Sequence, residues 1–278
     1  MVLNKIFVII DPTLTNQPAF ERAFQSAQMT GTRLHLYACI TGTEAGASVD
    51  AGLTVMGERM EVLLMRCQDA GIEAVQEVEQ GDDWSQAALR AAARCSASMI
   101  FKNSFEHSEV QRGLRPTSDY TLLRLSPCPV LLVKNNRDWS HRRVLAAVNS
   151  ESTNTAHIKL NHLIISFAQN VTEAYGSDCH FVTVCKDVNQ PPDIDTVYGE
   201  VNHPPDIEEF ATTCGAPPEH VHALTGSAAP AISKLAERIE VDLIIIGTVG
   251  RDGIKARLIG NTAEKVLDQT AADVLVIN

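Results

Sequence analysis

The sequence predicts two doubly wound α/β domains in tandem, each a mostly parallel sheet with helices on both faces. Three observations lead there. Short apolar runs bounded by charge or turn residues alternate with segments of helical period along the chain, and this alternation requires crossover connections and hence parallel strands. The order of elements starts again after NNRDWSHR, a polar stretch without periodicity. Landmarks in the two halves keep a nearly constant separation: Ile6 and Val144 lie 138 apart, Gly81 and Gly226 145, and Val130 and Val274 144. One modest insertion explains that drift. The boundaries read as a first domain over 1–136 and a second over 142–278, with right-handed crossovers in each.

In chain order, KIFVIID from Lys5 reads as a buried strand, followed by an amphipathic helix to about Met29 that ends near Gly31. Arg33 to Thr41 is a second strand. A long helix from about Asp50 to Ala70 repeats Met56, Met60, Leu63, Leu64 and Cys67 at helical spacing. IEAVQEVEQG is a third strand, and Asp82 and Asp83 cap the helix WSQAALRAAARC. Ala97 to Asn103, the short helix TSDYTLLRL and Pro129 to Lys134 complete the first half. The second half runs Arg142 to Asn149 as strand, Ile158 to about Tyr175 as helix and Cys179 to Asp187 as strand. An irregular insertion follows, bracketed by Pro191, Pro192, Pro204 and Pro205, with a helix around Glu208 to Cys214. VHALTG, PAISKLAERI, DLIIIG, NTAEKVLDQ and ADVLVI then alternate strand and helix to the end.

Composition narrows the function classes. A formal net charge of -11 over 278 residues argues against a nucleic-acid backbone as the main partner. No apolar run approaches the roughly 20 residues that span a bilayer, and the N-terminal run is too short for a secretory leader. The seven cysteines are scattered without a C-x-x-C pair. Several fall in apolar strands, as small hydrophobes in a reducing compartment do. The reading is a cytoplasmic protein without a disulfide framework.

One stretch carries chemistry. After DLIIIG comes a loop with Gly247, Gly250, Gly253 and Gly260, then a helix start with Asn261 or Thr262 as N-cap and Glu264 in the first turn. Strand, glycine-rich loop and helix N-terminus make an anion cradle of main-chain N–H groups. The loop is neither a Walker A sequence nor a G-x-G-x-x-G fingerprint.

The spacing G-x-x-G-x9-G of Gly247, Gly250 and Gly260 resembles the nucleotide-binding signature of the universal stress protein family, with Asn261 where the family has Ser or Thr and Thr262 one residue later. The resemblance runs along essentially the whole chain and is greatest to the E-type bacterial tandem members. It implies five strands per domain in the order 3-2-1-4-5. It also implies pseudo-two-fold-related domains paired through Pro129 to Lys134 and Asp273 to Ile277. A homodimer of such chains is a further arrangement.

Ligands of open α/β sheets sit beyond the strand ends where strand order reverses. The resemblance places ATP or AMP there in the second domain. Asn149 stands at the family's acidic, base-meeting position, Val184 at a main-chain contact, and Gly247, Gly250, Gly260, Asn261 and Thr262 at the phosphates. Arg251, Lys255 and Arg257 in the same loop read either as solvated charges or as anion contacts that offset a polyphosphate, and Mg2+ enters only with ATP. In the first domain an ungapped offset of 144 puts Asn103, Glu106 and Pro116 at the three glycine positions. Asp11 keeps the acidic position, but this half is expected not to bind ATP in the family manner. Its basic residues Lys102, Arg112, Arg115 and Arg124 read either as a solvated patch or as contacts to a different anionic ligand.

Catalytic constellations are absent from the sequence. No G-x-S-x-G, H-E-x-x-H or EF-hand motif occurs. His220 and His222 share a strand face, but no third metal ligand is evident. Cys179 and His180 point to opposite faces. The leading function is therefore a stress-response sensor or regulator binding a small anionic ligand. The alternatives are a module for a sugar nucleotide or acylated molecule, a chaperone-like interaction module, and a weak ATPase.

Overall fold

A computed structural model describes residues 3–41, 49–104, 118–139, 141–150, 154–185, 206–248 and 261–278. The chain divides into two compact units, Met1–Arg137 with Asn278, and Asp138–Ile277.

The first unit contains β1 (Lys5–Ile9), α1 (Pro18–Thr30), β2 (Arg33–Ile40), α2 (Val49–Asp69), β3 (Ala74–Gln80), α3 (Trp84–Arg94), β4 (Met99–Asn103), α4 (Ser118–Leu125) and β5 (Val130–Val133). Its strands lie in the order β3-β2-β1-β4-β5 and the pairs β1–β2, β1–β4, β2–β3 and β4–β5 are parallel. Ile6, Phe7 and Val8 of β1 are fully buried, as the continuous apolar run of a strand covered on both faces requires. Helix α1 starts at Pro18 and ends on Gly31, whose φ of 69° is the left-handed cap that a side chain would strain. Asp83 caps α3, accepting from the N–H groups of Ser85 and Gln86. The Ser85 hydroxyl, then the Gln86 N–H, hold that carboxyl below its ordinary range.

The second unit repeats the plan with β6 (Arg143–Ala147), α5 (Thr155–Tyr175), β7 (Asp178–Cys185), α6 (Ile207–Cys214), a 3-10 turn (Pro218–His220), β8 (Val221–Thr225), α7 (Ala228–Arg238), β9 (Leu243–Gly247), α8 (Asn261–Gln269) and β10 (Asp273–Ile277). Its order is β10-β9-β6-β7-β8, all parallel. Counted within each unit, both sheets have the order 3-2-1-4-5. Strand order therefore reverses between β1 and β4 in one unit and between β6 and β9 in the other. Helix α5 begins three residues ahead of the expected Ile158, because Asn154 caps it by accepting from the Ala156 N–H.

Candidate functional site

The switch point of each unit is built from the ends of two adjacent parallel strands. In the first unit Ile9 pairs with Lys102, so continuing the register sets Ile10 level with Asn103 and Asp11 one residue beyond. In the second, Ala146 pairs with Ile245, which sets Val148 level with Gly247 and Asn149 one residue beyond. Strands β4 and β9 end at Asn103 and Gly247, the positions that the 144-residue offset equates. On β7, Val182 pairs with Ala147, so half-buried Val184 lies level with Asn149.

Each unit clamps the exit of its first strand with a side-chain amide, a feature that sequence reasoning missed. The Asp11 N–H donates to Gln17 Oε1 at 3.0 Å, and Gln17 Nε2 donates to the Asp11 carbonyl at 2.7 Å. The Asn149 N–H donates to Asn161 Oδ1 at 3.1 Å, and Asn161 Nδ2 donates to the Asn149 carbonyl at 2.6 Å. A glutamine or asparagine amide offers both a donor and an acceptor, so one group satisfies both main-chain groups of the exit residue. The clamps lie six and twelve residues from the clamped positions, and no local pattern announces them.

Beyond the clamp the two switch points diverge. Asn103 is 1% exposed. Its Oδ1 accepts from the Ala19 N–H at 2.6 Å, and its Nδ2 donates to Gln17 Oε1 at 3.2 Å. Gln17 makes no side-chain cap of its own helix. The N-terminus of α1 is therefore capped from β4. The Asp11 carboxylate accepts from the Thr13 N–H and hydroxyl at 2.9 and 2.6 Å, closing its own turn. Next to Asn103, Lys102 Nζ stands 2.7 Å from Asp119 with both side chains almost covered, and the Ser104 hydroxyl donates to the same carboxylate at 3.0 Å. The expectation of a solvated basic patch is thus corrected for Lys102, which is largely covered and held in an internal ion pair. Arg112 and Arg115 lie outside the described residues.

In the second unit Asn149 is exposed, with its Nδ2 3.5 Å from His157 Nδ1. Ser150 is bonded to Thr183, hydroxyl to hydroxyl at 2.9 Å. Gly247 ends β9 under helix α5: a Cβ built there would stand 2.4 Å from Leu160 Cδ2 and 2.7 Å from its Cγ. Packing alone is a sufficient reason for that glycine, which the sequence reading took either as a plain turn or as room for a ligand. Helix α8 begins at Asn261, so Asn261 and Thr262 are its first two helical residues and neither is the expected N-cap, with Glu264 in the same turn. Gly250, Gly253, Gly260, Arg251, Lys255 and Arg257 lie outside the described residues.

The thiols do not form a nucleophilic site. Burial pushes Cys179 up to about 11 and Cys214 up to about 12, so both are protonated at neutral pH. The histidines hold a surprise. His220 belongs to the 3-10 turn and not to a strand, and Asp178 and His180 of β7 supply the neighbours that the sequence reading lacked. The signal was present in alternation: D-C-H on one strand beside H-V-H on the next places all four polar side chains on one face once the two pair in parallel.

The universal stress protein family model matches residues 3–134 and again 141–278. Universal stress protein E of Escherichia coli is 25% identical over 297 residues, covering 99% of this chain and 93% of that protein. The universal stress protein E homolog of Haemophilus influenzae is 25% identical over 307 residues, covering 100% and 98%. Among solved structures, a Pseudomonas aeruginosa protein superposes with a TM-score of 0.76 at 26% identity, covering 99% of this chain and 93% of its own. With the family model matched once in each half, the chain belongs to the universal stress protein family and carries two of its domains in tandem.

Proposed function

We propose that this protein is a cytoplasmic stress-response sensor or regulator whose second unit binds an adenine nucleotide at the β6–β9 switch point, and whose first unit has lost that ability. The observation that carries this reading is the contrast between two equivalent strand ends. Strand β4 ends in Asn103, whose side chain is taken up in capping α1, whereas the equivalent end of β9 is Gly247, which has no side chain and leads through the remaining glycines to the start of α8.

In this reading the exposed Asn149 side chain meets the purine edge, since an amide can both donate and accept there. Val184 contributes its main chain. Gly247, Gly250, Gly260, Asn261 and Thr262 surround the phosphates, favoured by the positive end of the α8 dipole. Arg251, Lys255 and Arg257 offset phosphate charge, and Mg2+ accompanies ATP alone. Binding changes conformation or partner affinity without turnover; the alternative is weak ATP hydrolysis.

Denaturing the purified protein and identifying released small molecules by mass spectrometry tests the ligand class. Release of ATP or AMP in an amount approaching one per chain is the expected result. A sugar nucleotide or an acylated molecule in its place would move the assignment to the corresponding alternative.

A further inference from the structure

Strand β8 lies outermost in the second unit's sheet, and its face next to β7 gathers an unusual set of side chains. Phe181 of β7 pairs with Val221 of β8, which brings His180 beside His220, while alternation keeps Asp178 and His222 on the same face. His180 Nε2 stands 3.3 Å from Asp178 Oδ2, and His220 Nδ1 stands 3.4 Å from Asp178 Oδ1. One ligand atom from each of the three residues lies within 4.8 Å of the others.

These spacings are close to the edge of a small coordination polyhedron. Four donors placed tetrahedrally at about 2.0–2.1 Å from a zinc ion are about 3.4 Å apart. The surroundings also match what a ligand set needs. The other ring nitrogen of His180, Nδ1, is 3.2 Å from His222 Nε2, a bond that fixes the ring and directs Nε2 toward Asp178. Arg143 Nε donates to Asp178 Oδ2 at 3.2 Å and orients the carboxylate. His180 is almost covered, at 12% exposure, while His220 and Asp178 are about one-third exposed, so the group is open to solvent from one side.

We propose that Asp178, His180 and His220 form a binding site for one divalent transition-metal ion of the zinc type, with His222 positioning His180 and water completing the coordination. Two imidazoles and a carboxylate favour zinc and its neighbours over magnesium or calcium, which prefer all-oxygen sets. A bound ion would join β7 to the 3-10 turn that leads into β8, tying the entry of the outermost strand to its neighbour. This site is separate from the nucleotide crevice, and its success or failure leaves that reading untouched.

The test uses the full chain, freed of any histidine tag and stripped with a chelator, titrated with Zn2+ by calorimetry and with Co2+ by visible absorption. The expected result is saturation at one ion per chain with a micromolar or tighter Kd, and a rise in Tm with Zn2+ that the chelator reverses. His180→Gln and His220→Gln should each weaken binding by at least about 10-fold, and His222→Gln by about 10-fold through the His180 ring. His220 lies on a surface turn, so its variant keeps the test valid if His180→Gln unfolds. Absence of saturable binding to the unsubstituted chain would overturn the proposal. So would an unchanged Kd in the folded His220→Gln variant.

Discussion

Replacing Lys102 with methionine is expected to cost the first unit about 3 kcal/mol, at the lower end of what breaking a buried ion pair costs. The lysine and Asp119 are 13% and 9% exposed and 2.7 Å apart, so removing the cation takes one charge partner from a carboxylate that water hardly reaches. Methionine preserves most of the side-chain volume, and Lys102 Nζ also lies 5.1 Å from the centre of the Trp84 ring. Lost charge, rather than a cavity, therefore dominates. Asp119→Asn in the same chain should recover part of the deficit, because it removes the charge that Lys102 balanced. Urea unfolding followed by Trp84 fluorescence, in a Trp139→Phe background, reads the change.

Replacing Asn103 with alanine should cost about 2–3 kcal/mol by a different route. The Ala19 N–H loses its 2.6 Å acceptor, and Gln17 loses one of the two groups bonded to its Oε1. A lost helix cap is worth about 1 kcal/mol, and a buried group left without its partner costs about 1–3 kcal/mol. The same urea unfolding measures it. Asp should substitute better than Ala, because a carboxylate still caps α1 and suits its dipole. Neither Lys102 nor Asn103 variants should create nucleotide binding in the first unit, since Asp11 remains engaged by Thr13.

Much of the fold was legible because its elements are long, periodic and repeated. The offset of 144 that equates Asn103 with Gly247 in the sequence is the offset at which β4 and β9 end in space. Of the three positions where the first half lacks the glycines, Asn103 lies among the described residues. What filled that place was not legible. Asn103 caps a helix 84 residues away in sequence, and Asn161 clamps a backbone group twelve residues back; both depend on how the strands and helices assemble. Lys102 looked like surface charge because its partner lies 17 positions later, in the first turn of α4. The glycine at 247 was attributed to ligand space, and its neighbour turned out to be Leu160. His220 and His222 looked incomplete as ligands until β7 brought Asp178 and His180 beside them.

The account rests on one unit binding nucleotide while the other does not. Calorimetric titration of ATP into the intact chain, beside its Gly250→Val and Asn103→Asp variants, addresses this most directly. The predicted result is one ATP per chain, affinity lowered by at least about 100-fold in Gly250→Val where a branched side chain blocks approach to the loop amides, and no change in Asn103→Asp. Two nucleotides per chain, no binding at all, or binding that Gly250→Val leaves intact would contradict it.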